Sequence, residues 1–149
     1  NVMLKTVILV SGVLCLGSTA TAQVNAGDLK WGPAPAVFPA GAQMAVLSGD
    51  PTKAGVFVIR LKMPAGYKIP AHNHPTDEYV TVVSGELSLG MGDKLDPAKS
   101  AKLGPGGFAV AGAKMNHFAI STGGAVVQVS AEGPFALTYV NPADDPTKR

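Results

Sequence analysis

The chain has 149 residues, of which 46% are hydrophobic and 15% charged, and its formal net charge is +2. This balance excludes a disordered chain, which needs low hydrophobicity and high net charge, and it provides no basic surface for nucleic acid. The 18 glycines and 12 prolines exclude a helical bundle, and they leave a compact, turn-rich β domain or a membrane-associated protein.

The first 22 residues have the layout of a secretory signal peptide. Lys5 precedes the uncharged run Thr6–Gly17, and Ala20-Thr21-Ala22 supplies the small residues of a cleavage site. An uncleaved membrane anchor is the alternative, but the run is shorter than the about 18 apolar residues that cross a bilayer. We therefore expect cleavage after Ala22, a periplasmic or secreted protein, and no stable membrane insertion after cleavage. Cys15 is the only cysteine, so the mature chain has no thiol for a disulfide or a zinc–thiolate site.

The remaining residues divide into an arm, a domain and a tail. Glycine and proline interrupt residues 23–42, so we expect an N-terminal arm that crosses the domain surface without regular structure. Residues 43–140 form the predicted β domain, and the length of the chain leaves room for one such domain. Residues 141–149 are polar and broken by prolines, and they form a predicted C-terminal tail.

Short segments of alternating hydrophobicity fill the predicted domain. In residues 57–63 the odd positions are apolar and share one strand face, and Arg60 lies on the other. The alternation leaves open whether Arg60 points to a substrate or to solvent. Further strands are predicted at Glu78–Val83, Glu86–Met91, Phe108–Ala111, His117–Ser121, Ala125–Ala131 and Phe135–Val140. Turn residues separate them, including Pro64–Gly66 and Gly123–Gly124, and the pattern predicts a β-sandwich or a small barrel.

Two of the three histidines form a pattern that is typical of metal sites. His72 and His74 are separated by one residue, so in an extended segment both imidazoles project from the same face. Glu78 follows four residues later, which places two nitrogen donors and one oxygen donor in a single hairpin. Such a set suits Mn, Fe, Zn, Ni or Cu with positions left open for substrate or water. The alternative is a pair of surface loop histidines, which leaves unexplained why the third, His117, begins a strand of its own.

The segment around these residues resembles the first signature of the cupin superfamily. That signature reads Gly, five residues, His-x-His, three or four residues, Glu, six residues and Gly, and the segment from Gly66 to Gly85 meets every fixed position. The segment from Gly106 to Ser121 is similar to the second signature and retains its histidine as His117. Its usual Pro-x-Gly is replaced by Gly112-Ala113-Lys114, which places a lysine at a turn position that favours glycine.

The resemblance implies an all-β fold with a single conical cupin β-barrel, also called a double-stranded β-helix or jelly roll, over residues 43–140. It implies one divalent transition metal inside the barrel, bound by His72, His74, Glu78 and His117. It also suggests a homodimer, because the edge strands of small barrels commonly pair across a two-fold axis. We expect the part of the arm from Gly27 to Pro39 to cross that interface.

Two functions remain open at this point. The first is an enzyme with a single metal ion, an oxidoreductase or a lyase, that acts on a small polar or carbonyl-bearing molecule. Its reaction would be of the oxygenase, decarboxylase or lyase type. The alternative is a non-catalytic accessory protein of the cell envelope that binds a small ligand or a metal. No catalytic residue is assigned, and Glu86 is interpreted as a solvated partner of a lysine. Several aromatic and Met residues line either the pocket mouth or the core: Tyr67, Tyr79, Phe108, Met115, Phe118, Phe135 and Tyr139.

Overall fold

A computed structural model describes residues 23–149. The predicted signal peptide and Cys15 lie outside the described residues. Within residues 23–149 no helix has the length and apolar character needed to cross a membrane.

The described part of the chain consists mainly of antiparallel strands. They are β1 (Gly32–Pro33), β2 (Gln43–Ser48), β3 (Gly55–Asn73), β4 (Glu78–Gly85), β5 (Leu87–Met91), β6 (Ser100–Leu103), β7 (Phe108–Ala111), β8 (His117–Gly133) and β9 (Thr138–Tyr139). Short 3-10 helices at Ala26–Asp28, Pro97–Lys99, Pro142–Asp144 and Pro146–Lys148 lie between or beyond them. The all-β expectation is confirmed.

The sheet is organised around its two longest strands, β3 and β8. The strand order is β1-β2-β3-β8-β4-β7, and β9 pairs with the end of β3. The second edge of β8 pairs first with β5 and then, from residue 125 onward, with β4. Because β8 changes partner along its length, the sheet rolls around one interior instead of extending flat.

Two predicted turns are instead bends within these long strands. β3 runs through Pro64–Gly66 and β8 runs through Gly123–Gly124, and the two segments lie opposite each other, with Ala65 paired to Gly123. Gly66 and Gly124 have φ values of +75° and +94°, a left-handed conformation that glycine adopts without a steric penalty. The bend is therefore accommodated in both strands at the same level, and the pairing continues beyond it.

One further predicted strand is shorter in the structure, and one strand of the structure was not predicted. The predicted strand Phe135–Val140 is reduced to β9, because Phe135 turns its ring into the core and the backbone pairs only at residues 138 and 139. β6, at Ser100–Leu103, was not predicted, since its residues lack an apolar face of their own.

The core occupies the inner face of the rolled sheet. The apolar face predicted for residues 57–63 is confirmed, and Phe57 is completely buried. Arg60 lies on the outer face, where its Nε donates a hydrogen bond to Gln128 Oε1 at 3.2 Å. It therefore lies on the sheet surface opposite the core and does not line the cavity next to the histidines.

Candidate metal centre

The three histidines meet at one end of β3 and β8. His72 lies near the end of β3 and is paired directly with His117, the first residue of β8. His74 follows β3 in the loop that leads to Glu78, the first residue of β4. The exposed fractions of His72, His74 and His117 are 3%, 4% and 2%. Their ligand nitrogens lie within 4.8 Å of one another. The structure thus brings together all three histidines that the sequence predicted.

A bulge in β3 directs His72 into the interior. Ile69 and His72 are three residues apart, and strict alternation would place them on opposite faces of the strand. Their partners on β8, Ala119 and His117, are only two residues apart, so β3 carries one extra residue at this point. Ile69 and His72 consequently line the same cavity.

Backbone carbonyl groups orient all three imidazoles. The Nδ1 atom of His72 lies 2.7 Å from the oxygen of Pro70, that of His117 lies 3.0 Å from the oxygen of Met115, and that of His74 lies 2.8 Å from the oxygen of Ala136. Because a carbonyl oxygen only accepts, each Nδ1 carries the proton and donates it. Each Nε2 is then left with a lone pair, the form in which histidine binds metals.

The lone pairs face a carboxylate. Glu78 Oε2 lies 3.3 Å from His74 Nε2 and 3.6 Å from His117 Nε2, and the Glu78 side chain is 14% exposed. His74 Nε2 is buried without a hydrogen-bond partner. A buried lone pair next to a carboxylate oxygen is unfavourable without a proton or a cation between them. The donor set therefore fits a divalent metal ion.

The electrostatics of the cluster keep the donors ready for a cation. Burial, together with the neighbouring His117 and His74, lowers the pKa of His72 to about 3, so its imidazole is neutral at physiological pH. Burial acts to raise the pKa of Glu78, but the neighbouring His117 and His74 outweigh it and hold that pKa below its ordinary value. Burial opposes a charge on His74, yet Glu78 raises the pKa of His74 overall. The carboxylate is thus ionised beside its histidines.

A network of hydrogen bonds connects the segments that carry the histidines. Asn73 Nδ2 donates to Asn116 Oδ1 at 2.8 Å, and Asn116 Nδ2 donates to Asp93 Oδ1 at 2.7 Å. Sequence reasoning missed these residues, although each asparagine is adjacent to a histidine in the chain. The backbone N–H of Lys114 donates to the His74 carbonyl at 2.7 Å, and Lys114 has a φ of +60°. Lys114 therefore adopts the left-handed conformation that was predicted to favour glycine at this turn position.

A small apolar cavity adjoins the histidines. Its volume is about 40 Å³, and among the described residues that line it only His72, His74, Glu78 and His117 have ionisable side chains. Phe135, one of the predicted pocket aromatics, lines this cavity. Phe38, which lies in the predicted arm and was not singled out from the sequence, lines it as well.

The other predicted pocket residues lie elsewhere. Tyr67 and Tyr139 are buried and donate hydrogen bonds to the carbonyls of Pro39 and Val37. Phe118 is fully buried against β5 and does not line the cavity. Three of the set lie exposed on the surface: Tyr79, Phe108 and Met115. Glu86 pairs with Lys102 at 3.5 Å, both side chains being exposed, which agrees with its predicted solvated role.

Comparison with known protein families shows which family the chain belongs to. Residues 18–138 match a family described as a domain of unknown function, DUF4437. The chain belongs to this family. Curated proteins give no match to the chain.

Solved structures similar to this family member share its fold, and one of them is described as a cupin. The polyketide cyclase RemF from Streptomyces resistomycificus has a TM-score of 0.65 and 16% identity, and the match covers 85% of this chain and 89% of RemF. A candidate acetylacetone dioxygenase from Methylibium petroleiphilum PM1 has a TM-score of 0.64 and 22% identity, with 97% and 90% covered. A cupin superfamily protein from Desulfitobacterium hafniense DCB-2 has a TM-score of 0.52 and 13% identity, with 62% and 78% covered. The fold is therefore the cupin barrel that the two signatures predicted.

Proposed function

We propose that this cupin binds one divalent transition metal ion, Mn, Fe, Zn, Ni or Cu, through His72, His74, Glu78 and His117. The observation that carries the proposal is the convergence of three buried imidazoles whose protons are held on Nδ1 by backbone carbonyls, which leaves their Nε2 lone pairs free. Glu78 completes the set as the anionic donor next to two of those nitrogens.

We further propose that the centre is catalytic and acts on a small carbonyl-bearing molecule by oxygenase-type chemistry. When bound, the metal would supply polarisation of a carbonyl oxygen or activation of dioxygen. The protein itself would hold the imidazoles in position through the Pro70, Met115 and Ala136 carbonyls and would keep bulk water out with apolar side chains.

The cavity lining favours oxygenase chemistry over decarboxylase or lyase chemistry. Proton transfer to or from a substrate needs an acid or base within reach of it. Among the described residues that line the cavity, only the four proposed metal-binding side chains are ionisable. A side chain that binds the metal is not free to exchange a proton with the substrate. The name of one structural neighbour, a candidate acetylacetone dioxygenase, supports the same class.

The alternative remains a non-catalytic protein of the cell envelope that binds a metal or a small ligand. The small volume of the cavity, about 40 Å³, favours it. Oxygen consumption by the metal-loaded protein in the presence of small diketones separates the two proposals. Consumption that requires His72 supports the enzyme, whereas stable binding without turnover supports the accessory protein.

Metal analysis tests the shared part of both proposals. Protein purified without chelators is expected to contain one metal ion per chain, and H72A and H117A are expected to lose it. E86Q, which removes an exposed carboxylate, is the control and is expected to retain it. Equal metal content in wild type and H72A would show that the histidines are not a metal site.

We also propose export and dimer formation on the sequence evidence given above. Expression with and without residues 1–22, followed by fractionation, tests whether the protein is exported. Light scattering of the mature protein tests the homodimer, and a monomeric mass counts against it.

A further inference from the structure

A loop closed by a hydrogen bond covers the cavity. We call residues 34–42 the plug loop, because Ala34 N–H donates to the Ala42 carbonyl at 3.0 Å and joins its two ends. Two tyrosines of the barrel hold the loop near its middle. Tyr67 on β3 donates to the Pro39 carbonyl at 2.5 Å, and Tyr139 on β9 donates to the Val37 carbonyl at 2.7 Å. The residue between these two anchored carbonyls is Phe38.

The two anchors direct Phe38 into the cavity beside the histidines. Phe38 is 7% exposed, and its ring stacks on that of Phe135 with centroids 5.7 Å apart and an interplanar angle of 7°. The Phe135 ring in turn lies 5.3 Å from the His74 ring. One aromatic ring therefore separates the plug loop from a proposed metal ligand.

With Phe38 in place, the space near the histidines is small. The cavity volume is about 40 Å³. An apolar protein cavity that binds benzene has a volume of about 150 Å³, and ordinary ligand pockets begin at about 300 Å³. A ligand of a few heavy atoms therefore fits beside the plug loop, and one that carries a phenyl group does not.

The lining also determines the charge of the ligand. Apart from the four proposed metal ligands, the described residues that line the cavity have apolar side chains. A charged group on the body of a ligand would be buried there without a partner, which is strongly unfavourable. A neutral ligand with an apolar body and one metal-binding atom meets no such penalty.

We propose that Phe38 and the plug loop are the selectivity element of this site, and that they restrict it to small, uncharged ligands with an apolar body. A larger apolar ligand reaches the metal only when Phe38 is removed or the plug loop is released. This inference rests on the proposed metal centre and names the class of ligand that the centre accepts.

Three thiols that share one metal-binding atom test the proposal on the cobalt(II)-loaded protein. Ethanethiol is small and apolar, 2-mercaptoethanesulfonate is larger and charged, and phenylmethanethiol is large and apolar. Sulfur-to-cobalt charge-transfer absorption reports binding without any turnover. In the wild type we expect ethanethiol to bind at least about tenfold more tightly than either of the other two thiols.

Removal of the Phe38 ring should change the size limit and leave the charge limit intact. F38A is expected to strengthen phenylmethanethiol binding by about tenfold or more, while ethanethiol changes by less than about threefold and the sulfonate stays weak. F108A is the matched control, since it removes the same ring from the outer surface, where Phe108 is 57% exposed, and it should change none of the three. F38L serves as the second variant if F38A does not fold.

A second measurement tests the tyrosine anchors without using the metal. The double variant Y67F/Y139F keeps both rings and removes both hydroxyl donors. Hydrogen exchange of the Phe38 amide, which donates to the Pro35 carbonyl at 2.9 Å, should accelerate by about tenfold when the loop loses its two tyrosine hydrogen bonds. An unchanged exchange rate would show that the hydroxyls do not hold the plug loop.

The outcomes separate this proposal from the one it rests on. If wild type and H72A bind cobalt equally, the metal centre itself is wrong. If cobalt binding requires His72 but phenylmethanethiol binds wild type as tightly as ethanethiol does, the selectivity role is wrong and the metal centre stands. The selectivity role is also wrong if F38A and F108A have the same ratio of phenylmethanethiol affinity to ethanethiol affinity.

Discussion

Two regions of the barrel hold their histidines in different ways. His72 and His117 lie on the paired strands β3 and β8, and each donates to the carbonyl of the residue two positions earlier in its own chain segment. His74 lies in the loop after β3, and it donates to the carbonyl of Ala136, 62 residues away in the segment between β8 and β9. The first region orients its ligands by local strand geometry. The second depends on contact between two distant loops, so it should be the easier region to disturb without unfolding the protein.

Breaking the strand region should cause the largest loss of stability. Phe118 follows His117 and is fully buried, and its ring packs on Gly90 of β5, where even a Cβ atom would lie 2.1 Å from it. F118A should lower the free energy of unfolding by about 3–5 kcal/mol. Urea denaturation followed by fluorescence measures the effect. F108A is the control, and a loss of similar size there would contradict the explanation by burial.

Metal removal should have the next largest effect, and it should depend on both regions. At a free metal concentration of 100 times Kd, binding stabilises the native state by about 2.7 kcal/mol. Chelation should therefore lower the Tm of the wild type but leave H72A and H74A unchanged. If H74A still responds to the chelator like the wild type, the loop region is not part of the proposed site.

A matched pair of Phe-to-Leu substitutions separates the two regions more finely. Phe135 packs near His74 in the loop region, and Phe57 of β3 lies edge-on to it with centroids 6.3 Å apart. Both variants should lose about 1 kcal/mol of stability. Only F135L should also weaken metal binding, by about tenfold, because it displaces the segment that orients His74. Titration of the metal-free proteins with cobalt(II) measures the affinity, and equal affinities would remove the distinction between the regions.

The smallest effect is expected at Lys114, in the turn between β7 and β8 that contacts His74, where the sequence departs from the usual cupin signature. A non-glycine residue at a φ of +60° is strained by about 1 kcal/mol. K114G should therefore raise the free energy of unfolding by no more than that amount and leave metal binding unchanged, since only the backbone N–H contacts His74. A loss of stability on thermal denaturation would show that the lysine side chain itself contributes to the turn.

The sequence predicted the side chains of the site better than their setting. The spacing of His72 and His74 predicted a shared face, and the two signatures predicted that His117 would join them; both expectations hold. The bulge between Ile69 and His72 could not be predicted, because an extra residue in a strand pair depends on the partner strand and not on local alternation. The contact between His74 and the Ala136 carbonyl could not be predicted either. Every residue has a backbone oxygen, so the residue type at position 136 does not indicate this role.

The same distinction explains two differences in the fold. Pro64–Gly66 and Gly123–Gly124 have the composition of turns, yet they pair with each other and bend two continuous strands. Composition records that a glycine can adopt a left-handed conformation, but not whether the chain reverses there. Phe38 likewise lies in a segment whose glycines and prolines indicate an irregular arm, and only the tertiary contacts of Tyr67 and Tyr139 place its ring in the barrel.

The three carbonyl contacts to the imidazoles have an evolutionary consequence. Main-chain oxygens remain when side chains mutate, so the orientation of the histidines is independent of the identities of Pro70, Met115 and Ala136. The side chains at positions 70, 115 and 136 can then change as long as the backbone keeps its path, whereas a lining residue such as Phe135, which positions the segment of Ala136, is more constrained. The orientation of the imidazoles is thus carried by the path of the main chain, and substitutions that keep this path leave the three nitrogen donors in place.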